Sequence, residues 1–151
     1  STKDNFIKKM NTEAMRIGLV NSKFMNEHGL DKDENHVGAY GSAKDMAILF
    51  QYILKNHPTL LEATKYSHLS FKDNNGFVYN ASNTNIDADM VPSLIASKTG
   101  YTDLAGGNLV IAFDAGLNHP VIISVLGSTK DDRFSDTLTL VDATMKYIQN
   151  N

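Results

Sequence analysis

Ser97-Lys98-Thr99-Gly100-Tyr101-Thr102 is the stretch whose residue types and order can do chemistry. An apolar run from Leu94 leads into it, Gly106-Gly107 follow, and a second apolar run begins at Asn108-Leu109. A strand at a sheet edge can pair through its backbone with an extended peptide. Lys98 would place a positive charge beside a nucleophile attacking that peptide, and Thr99 can donate its hydroxyl to a terminal carboxylate. Gly100 removes a side chain, so the peptide can lie close to the backbone. The amide of Tyr101 then points where a tetrahedral oxyanion would form, and a preorganised donor there is worth roughly 2.7–4 kcal/mol of barrier. Taken alone, Lys-Thr-Gly is a short match, and at a strand end it is more often a turn with a solvated lysine.

Other chemistries find little support. The absence of cysteine excludes disulfides, thiolate metal sites and cysteine nucleophiles. The five histidines, His28, His36, His57, His68 and His119, include no pair at helical ligand spacing. For His28 a structural hydrogen bond is expected. Asp31, Asp33 and Glu34 lack the spacing and closing glutamate of a calcium loop. No metal or cofactor site is expected. A net charge of -3 with interspersed signs offers no basic block to grip phosphates. No apolar run is long enough to span a bilayer, and no signal peptide is visible.

The elements that must position the stretch follow from periodicity. Phe6, Ile7, Met10, Ala14, Ile17 and Leu19 predict a helix over Asp4 to Val20, with Asp4 as its cap and Gly18 at its end. Asn21 to Tyr40 is rich in Asn, Asp and Gly and predicts an irregular connection. A second helix is predicted from the cap Ser42, with Asp45 as a short capping-box partner, ending before His57-Pro58. Leu60 to Ala63 add one helical turn. Ser67 to Phe71 and Gly76 to Tyr79 are predicted strands, and Asn80 to Asp89 a loop. Three strands, Leu94 to Thr99, Asn108 to Asp114 and Val121 to Gly127, should pair antiparallel through short connections. Val121 to Leu126 is expected to be buried on both faces. A last helix runs from about Phe134 to Ile148. Tyr40, Phe50, Tyr52 and Tyr147 are expected to pack in or near the core. Arg133 is expected to form a structural ion pair. The fold class is α+β, in one domain: a mainly helical portion over 1–66, short strands and a loop over 67–90, and antiparallel strands with a helix over 91–151.

These motifs together resemble the serine D-alanyl-D-alanine carboxypeptidases, the low-molecular-mass penicillin-binding proteins. Met10-Asn11 and Ile17-Gly18-Leu19 look like the helix that follows that family's second active-site motif. Phe24, Asn26 and His28-Gly29-Leu30 resemble its Phe-x-Asn-x-His-Gly-Leu connection, and Ser42-Ala43-Lys44-Asp45-Met46-Ala47 its helix start. Asn83-Thr84-Asn85 resembles its Asn-x-Asn, and Lys98-Thr99-Gly100 its third motif. Thr102, Ala105-Gly106, Asn108-Leu109-Val110, Gly127-Ser128 and Arg133 continue the agreement.

The resemblance implies a partial fold of the β-lactamase and penicillin-binding type. It implies removal of the terminal D-alanine of peptidoglycan stem peptides through an acyl-serine, outside the bacterial cytoplasm, with β-lactams as ligands. It assigns Lys98 and the Tyr101 amide to catalysis, and Thr99, Gly100 and Thr84 to substrate binding. Some relatives carry arginine where Thr84 stands. The family's nucleophile motif is Ser-x-x-Lys, and no serine here has lysine three residues on; Ser-x-Asn and Tyr-x-Asn are also absent. A chain truncated at its N-terminal side is expected, inactive alone, with exposed apolar surface and an unpaired sheet edge that favour self-association. A β-lactamase fragment and a non-catalytic domain binding peptidoglycan peptide or a partner protein are the alternatives. Thr102, at a position where β-lactamases usually have glycine, favours the carboxypeptidase.

Overall fold

The computed structural model describes residues 2–150. Helix α1 spans Thr2–Arg16. The chain leaves it through Gly18 at a φ of +91°. The Gly18 amide returns to the Met15 carbonyl (3.1 Å) and the Leu19 amide to the Ala14 carbonyl (2.9 Å). This pair of bonds closes the final turn and buries Leu19. Asp4, expected as the cap, lies inside the first turn because the helix starts earlier; a carboxylate there complements the helix dipole.

Strands β1 (Lys23–Phe24) and β2 (Ala39–Tyr40) pair within the irregular connection. Asn11 explains how that connection is held. Its side-chain amide donates to the Phe24 carbonyl (2.7 Å) and its carbonyl accepts from the Phe24 amide (2.9 Å).

Helix α2 covers Ala43–Asn56, and the Ser42 hydroxyl caps it by accepting from the Asp45 amide at 3.1 Å. Asp45 does not close the expected capping box. Its Oδ2 accepts instead from the Asn21 amide and the Ser22 hydroxyl, each at 2.8 Å. The carboxylate thus latches the chain leaving α1 to the start of α2. Burial by itself would raise the Asp45 pKa, but the Ser22 hydroxyl, the Asn21 amide and Ser42, with the Lys44 charge, hold it below its ordinary 3.8. A lowered folded-state pKa contributes stability above the ordinary value and loses it as pH falls through the lowered one. Wild type should therefore exceed Asp45→Asn in melting temperature at neutral pH. The gap should close as pH falls below the ordinary carboxylate value and through the lowered one, as followed by circular dichroism; a gap independent of pH would refute the role of the charge.

A 3-10 helix over Pro58–Lys65 replaces the single turn expected at Leu60 to Ala63. Strands β3 (His68–Lys72) and β4 (Val78–Ser82) form a hairpin. The Asp73 carboxylate, accepting from the Asn75 and Phe77 amides, shapes its turn. β4 extends further than expected because its last residue, Ser82, pairs with His68.

The sheet that carries the motif comprises β5 (Leu94–Thr102), β6 (Gly106–Asp114) and β7 (Pro120–Ser128), antiparallel in the order β5-β6-β7. Alternate residues of β6 serve two cores, as the two-residue repeat of a strand requires. Leu109, Ile111 and Phe113 join Val91, Ile123, Phe134 and Val141 beneath helix α3, Asp132–Gln149. Val110 and Ala112 join Ala96 and Phe50 beneath α2. The C-terminal helix on the sheet was legible in sequence. The coverage of the opposite face by α2 was not. β6, not β7, is the strand most fully buried on both faces; at the sheet edge only Ile123 of β7 is fully buried.

β5 also continues past its expected end at Thr99, so the motif lies within a strand. Gly107 pairs with Tyr101 of β5 on one side and with Ser128 of β7 on the other. A Cβ on Gly107 would fall 1.9 Å from the Thr129 carbonyl oxygen, and no side chain fits there. Of the aromatics expected to pack, Phe50 is buried and Tyr52 half-buried, while Tyr40 and Tyr147 are exposed. Phe6, Met15 and Val20 also present apolar surface to solvent. Among the described residues no helix is long and apolar enough to cross a membrane.

Candidate active site

The outer edge of β5 is the place where the predicted residues meet. The Ser97 amide faces that edge, donating to the Thr64 hydroxyl at 3.0 Å. The repeat of an antiparallel ladder then turns the Thr99 and Tyr101 amides to the same edge. Lys98 pairs with Val110, on the face that α2 covers further along, and is itself exposed. Its ammonium donates to the Thr99 carbonyl. Among the described residues it forms no ion pair. A positive charge at an open strand edge is thus available to a ligand.

Thr84 and Thr99 come together, their hydroxyls 2.6 Å apart. The loop after β4 makes this contact because Asn83 anchors it. The Asn83 amide donates to the Thr64 and Tyr66 carbonyls (2.8 and 3.0 Å), and its carbonyl accepts from the Asn85 amide (2.9 Å). A groove of about 260 Å³ runs beside this corner, lined in part by Thr64, Tyr66, Asn83, Thr84, Ser97 and Lys98.

Gly100 has no packing reason to be glycine. A Cβ there would meet nothing closer than the Asn108 Cβ at 3.8 Å, an ordinary contact. The space left by the missing side chain is open to a ligand. The Gly100 carbonyl accepts from Arg133 at 2.8 Å. Arg133 is 8% exposed and lies over the Phe134 ring. Among the described residues it forms no ion pair, so it is not the ion-pair former expected. The first turn of α3 delivers it to the motif strand, where it fixes the backbone between Thr99 and Tyr101.

The Tyr101 ring lies on the face of α3, because Tyr101 pairs with Gly107 in register with Leu109 and Ile111. Its hydroxyl donates to Asp103 at 3.1 Å, and the Lys130 ammonium sits 5.3 Å from the ring centre. The Asp103 carboxylate raises the phenol pKa, so the ring stays neutral and offers no base. What Tyr101 presents to the edge is its amide.

The loop between β1 and β2 braces the end of the strand. The Asn26 side chain spans its own turn, donating to the Leu30 carbonyl and accepting from the Gly29 amide, both at 2.7 Å. His28 accepts from the Leu30 amide at 3.1 Å, the structural bond expected of it. Asp31 then accepts from the Leu104 amide at 3.3 Å, clasping the β5–β6 turn. Its place among acidic residues had suggested only a faint calcium loop, and among the described residues no acidic or histidine cluster could hold a metal ion. Thr64 carried no signal in sequence. Asn83 and Arg133 stood within the resemblance, but without their partners.

The chain matches the D-alanyl-D-alanine carboxypeptidase family, peptidase S11, over residues 1–130. It is 35% identical over 123 residues to D-alanyl-D-alanine carboxypeptidase DacA of Haemophilus influenzae, covering 82% of this chain and 29% of that protein. Penicillin-binding protein D2 from Listeria monocytogenes, solved with ampicillin bound, superposes with a TM-score of 0.75 at 29% identity, covering 91% of this chain and 55% of that one. The Streptomyces K15 DD-transpeptidase gives 0.72 at 26% identity, covering 91% and 52%. The chain therefore spans well under two thirds of the proteins it matches. Its fold superposes on theirs over nine tenths of this chain, and the chain belongs to the D-alanyl-D-alanine carboxypeptidase family.

Proposed function

We propose that residues 1–151 are the substrate-holding part of a serine peptidase domain that removes the terminal D-alanine from peptidoglycan stem peptides, outside the bacterial cytoplasm. The observation that carries this reading is the corner formed by Lys98, the Thr84–Thr99 hydroxyl pair and the edge amide of Tyr101. A peptide laid along β5 would place its terminal carboxylate at Thr99 and Thr84, beside the Lys98 charge. The scissile carbonyl oxygen would then lie at the Tyr101 amide, which holds the negative charge as a serine attacks. Gly100 leaves room for the backbone of that peptide, and Arg133 keeps the strand from yielding. The attacking serine is contributed by polypeptide additional to these residues, because no serine here stands in a Ser-x-x-Lys motif.

A fluorescent penicillin tests the reading, with β-lactams bound to the Listeria relative as precedent. The 151-residue chain should not be labelled covalently, whereas a polypeptide joining it to a Ser-x-x-Lys segment from its own gene should be. Labelling of the chain alone would refute the external nucleophile. A longer polypeptide that stays unlabelled would favour a non-catalytic binding domain.

A further inference from the structure

The free edge of β5 is short, and one residue ends it. The Ser97 amide is occupied by the Thr64 hydroxyl, and the Ser97 hydroxyl donates to the Thr64 carbonyl, both at 3.0 Å. The Thr64 hydroxyl is itself satisfied, donating to the Leu61 carbonyl at 2.6 Å. Its carbonyl also receives the Asn83 side chain, which ties it to the loop that carries Thr84. Thr64 is therefore held on three sides, against a Ser97 that is 2% exposed. Only Thr99 and Tyr101 remain to pair with an incoming peptide.

The spacing converts this cap into a selection rule. Strand residues advance about 3.3 Å each, so Thr99 and Tyr101 lie about 7 Å apart along the edge. A peptide whose scissile carbonyl sits at the Tyr101 amide has room for one more residue before its end reaches Thr99. Another residue would stand level with Ser97, where the backbone donor is already taken by the Thr64 hydroxyl. Entry there would forfeit the two Ser97 bonds and the Asn83 bond, with nothing in the peptide to replace all three.

We propose that Thr64 is a specificity-determining residue that closes the substrate edge at Ser97 and restricts the site to peptides ending in a free carboxylate one residue past the reacting carbonyl. This rests on the function proposed above for the same edge, and it goes further by naming what excludes longer peptides.

The test uses the isotopically labelled 151-residue chain and two peptides, an N-acyl peptide ending in D-Ala-D-Ala and the same peptide extended by one glycine. Amide shifts of Thr99 and Tyr101 report binding, and hydrogen exchange of the Ser97 amide reports the cap. In the wild type Ser97 should exchange slowly, and the extended peptide should bind at least about tenfold more weakly. In Thr64→Val the Ser97 amide should exchange faster and the ratio between peptides should shrink, while Thr64→Ser retains both wild-type properties. Protected Ile111 and Ala112 amides verify that each variant is folded. Equal binding of both peptides to the wild type overturns the proposal, as does an unchanged ratio in Thr64→Val with Ser97 deprotected. Slow Ser97 exchange with neither peptide shifting Thr99 or Tyr101 overturns instead the function assigned to the edge, and the selection rule with it.

Discussion

Replacing Lys98 by alanine is expected to slow acylation by penicillin about 10²–10⁴-fold in a polypeptide that carries these residues with a nucleophile, the range of a positioned proton-transfer or charge-stabilising group. At 1.36 kcal/mol per tenfold, that is about 3–5 kcal/mol of barrier. The fold should be indifferent to the change. Lys98 is exposed, and its ammonium donates to the neighbouring Thr99 carbonyl; a surface substitution of this kind shifts stability by about 0.5 kcal/mol or less. The distinctive expectation is this separation: acylation collapses while the melting curve stays in place. The measurement is the acylation rate against penicillin concentration beside a thermal melt. If the loss falls wholly on affinity, Lys98 is a carboxylate holder only. If labelling is unaffected, the open edge of β5 is not the reacting site. Thr99→Val in the same assay should weaken affinity more than rate, because in the proposed pose its hydroxyl would meet the carboxylate and not the reacting carbon.

The largest expected effect on the fold comes from Phe113. It is 0% exposed and lies where β6 faces α3, among Leu109, Ile111, Ile123, Phe134 and Val141. It is paired with Leu94 on one side and Val121 on the other, so the backbone around it is fixed and cannot collapse into a vacated space. Phe113→Ala should therefore destabilise the chain by about 3–5 kcal/mol. Domains commonly have only about 5–15 kcal/mol in total, so urea unfolding should begin at far lower concentration. Phe77 supplies the contrast. It is 65% exposed on the hairpin turn, and Phe77→Ser should change stability by about 0.5 kcal/mol or less. Similar midpoints for the two variants would mean that the α3 face is not the main core. The site would suffer with the core, since α3 carries Arg133 to the Gly100 carbonyl.

Much of this architecture is local in origin, and the local part was legible. The Ser42 cap and the Gly18 exit each follow from one residue's stereochemistry or hydrogen bonding within a few positions. The apolar runs of β5, β6 and β7 announced strands because alternate residues had to be buried. Errors fell where a neighbour distant in sequence decides the outcome. Asp45 was expected to bond within its own helix turn, and it bonds instead to Asn21 and Ser22. β5 was expected to stop at Thr99, and it continues because Gly100, Tyr101 and Thr102 pair with Asn108, Gly107 and Gly106 of β6.

The candidate site divides along the same line. By itself the sequence determined that Lys98 and Thr99 close a strand with Gly100 and Tyr101 directly after them, and that no Ser-x-x-Lys accompanies them. Only the tertiary structure decided that Thr84 meets Thr99, that Arg133 reaches Gly100, that Asp31 clasps the turn after Thr102 and that Thr64 closes the edge at Ser97. Periodicity encodes which face of an element is apolar, a property of residues two to four apart. Contacts between residues 15 to 73 positions apart depend on how those faces pack and on strand register. No single residue type announces them.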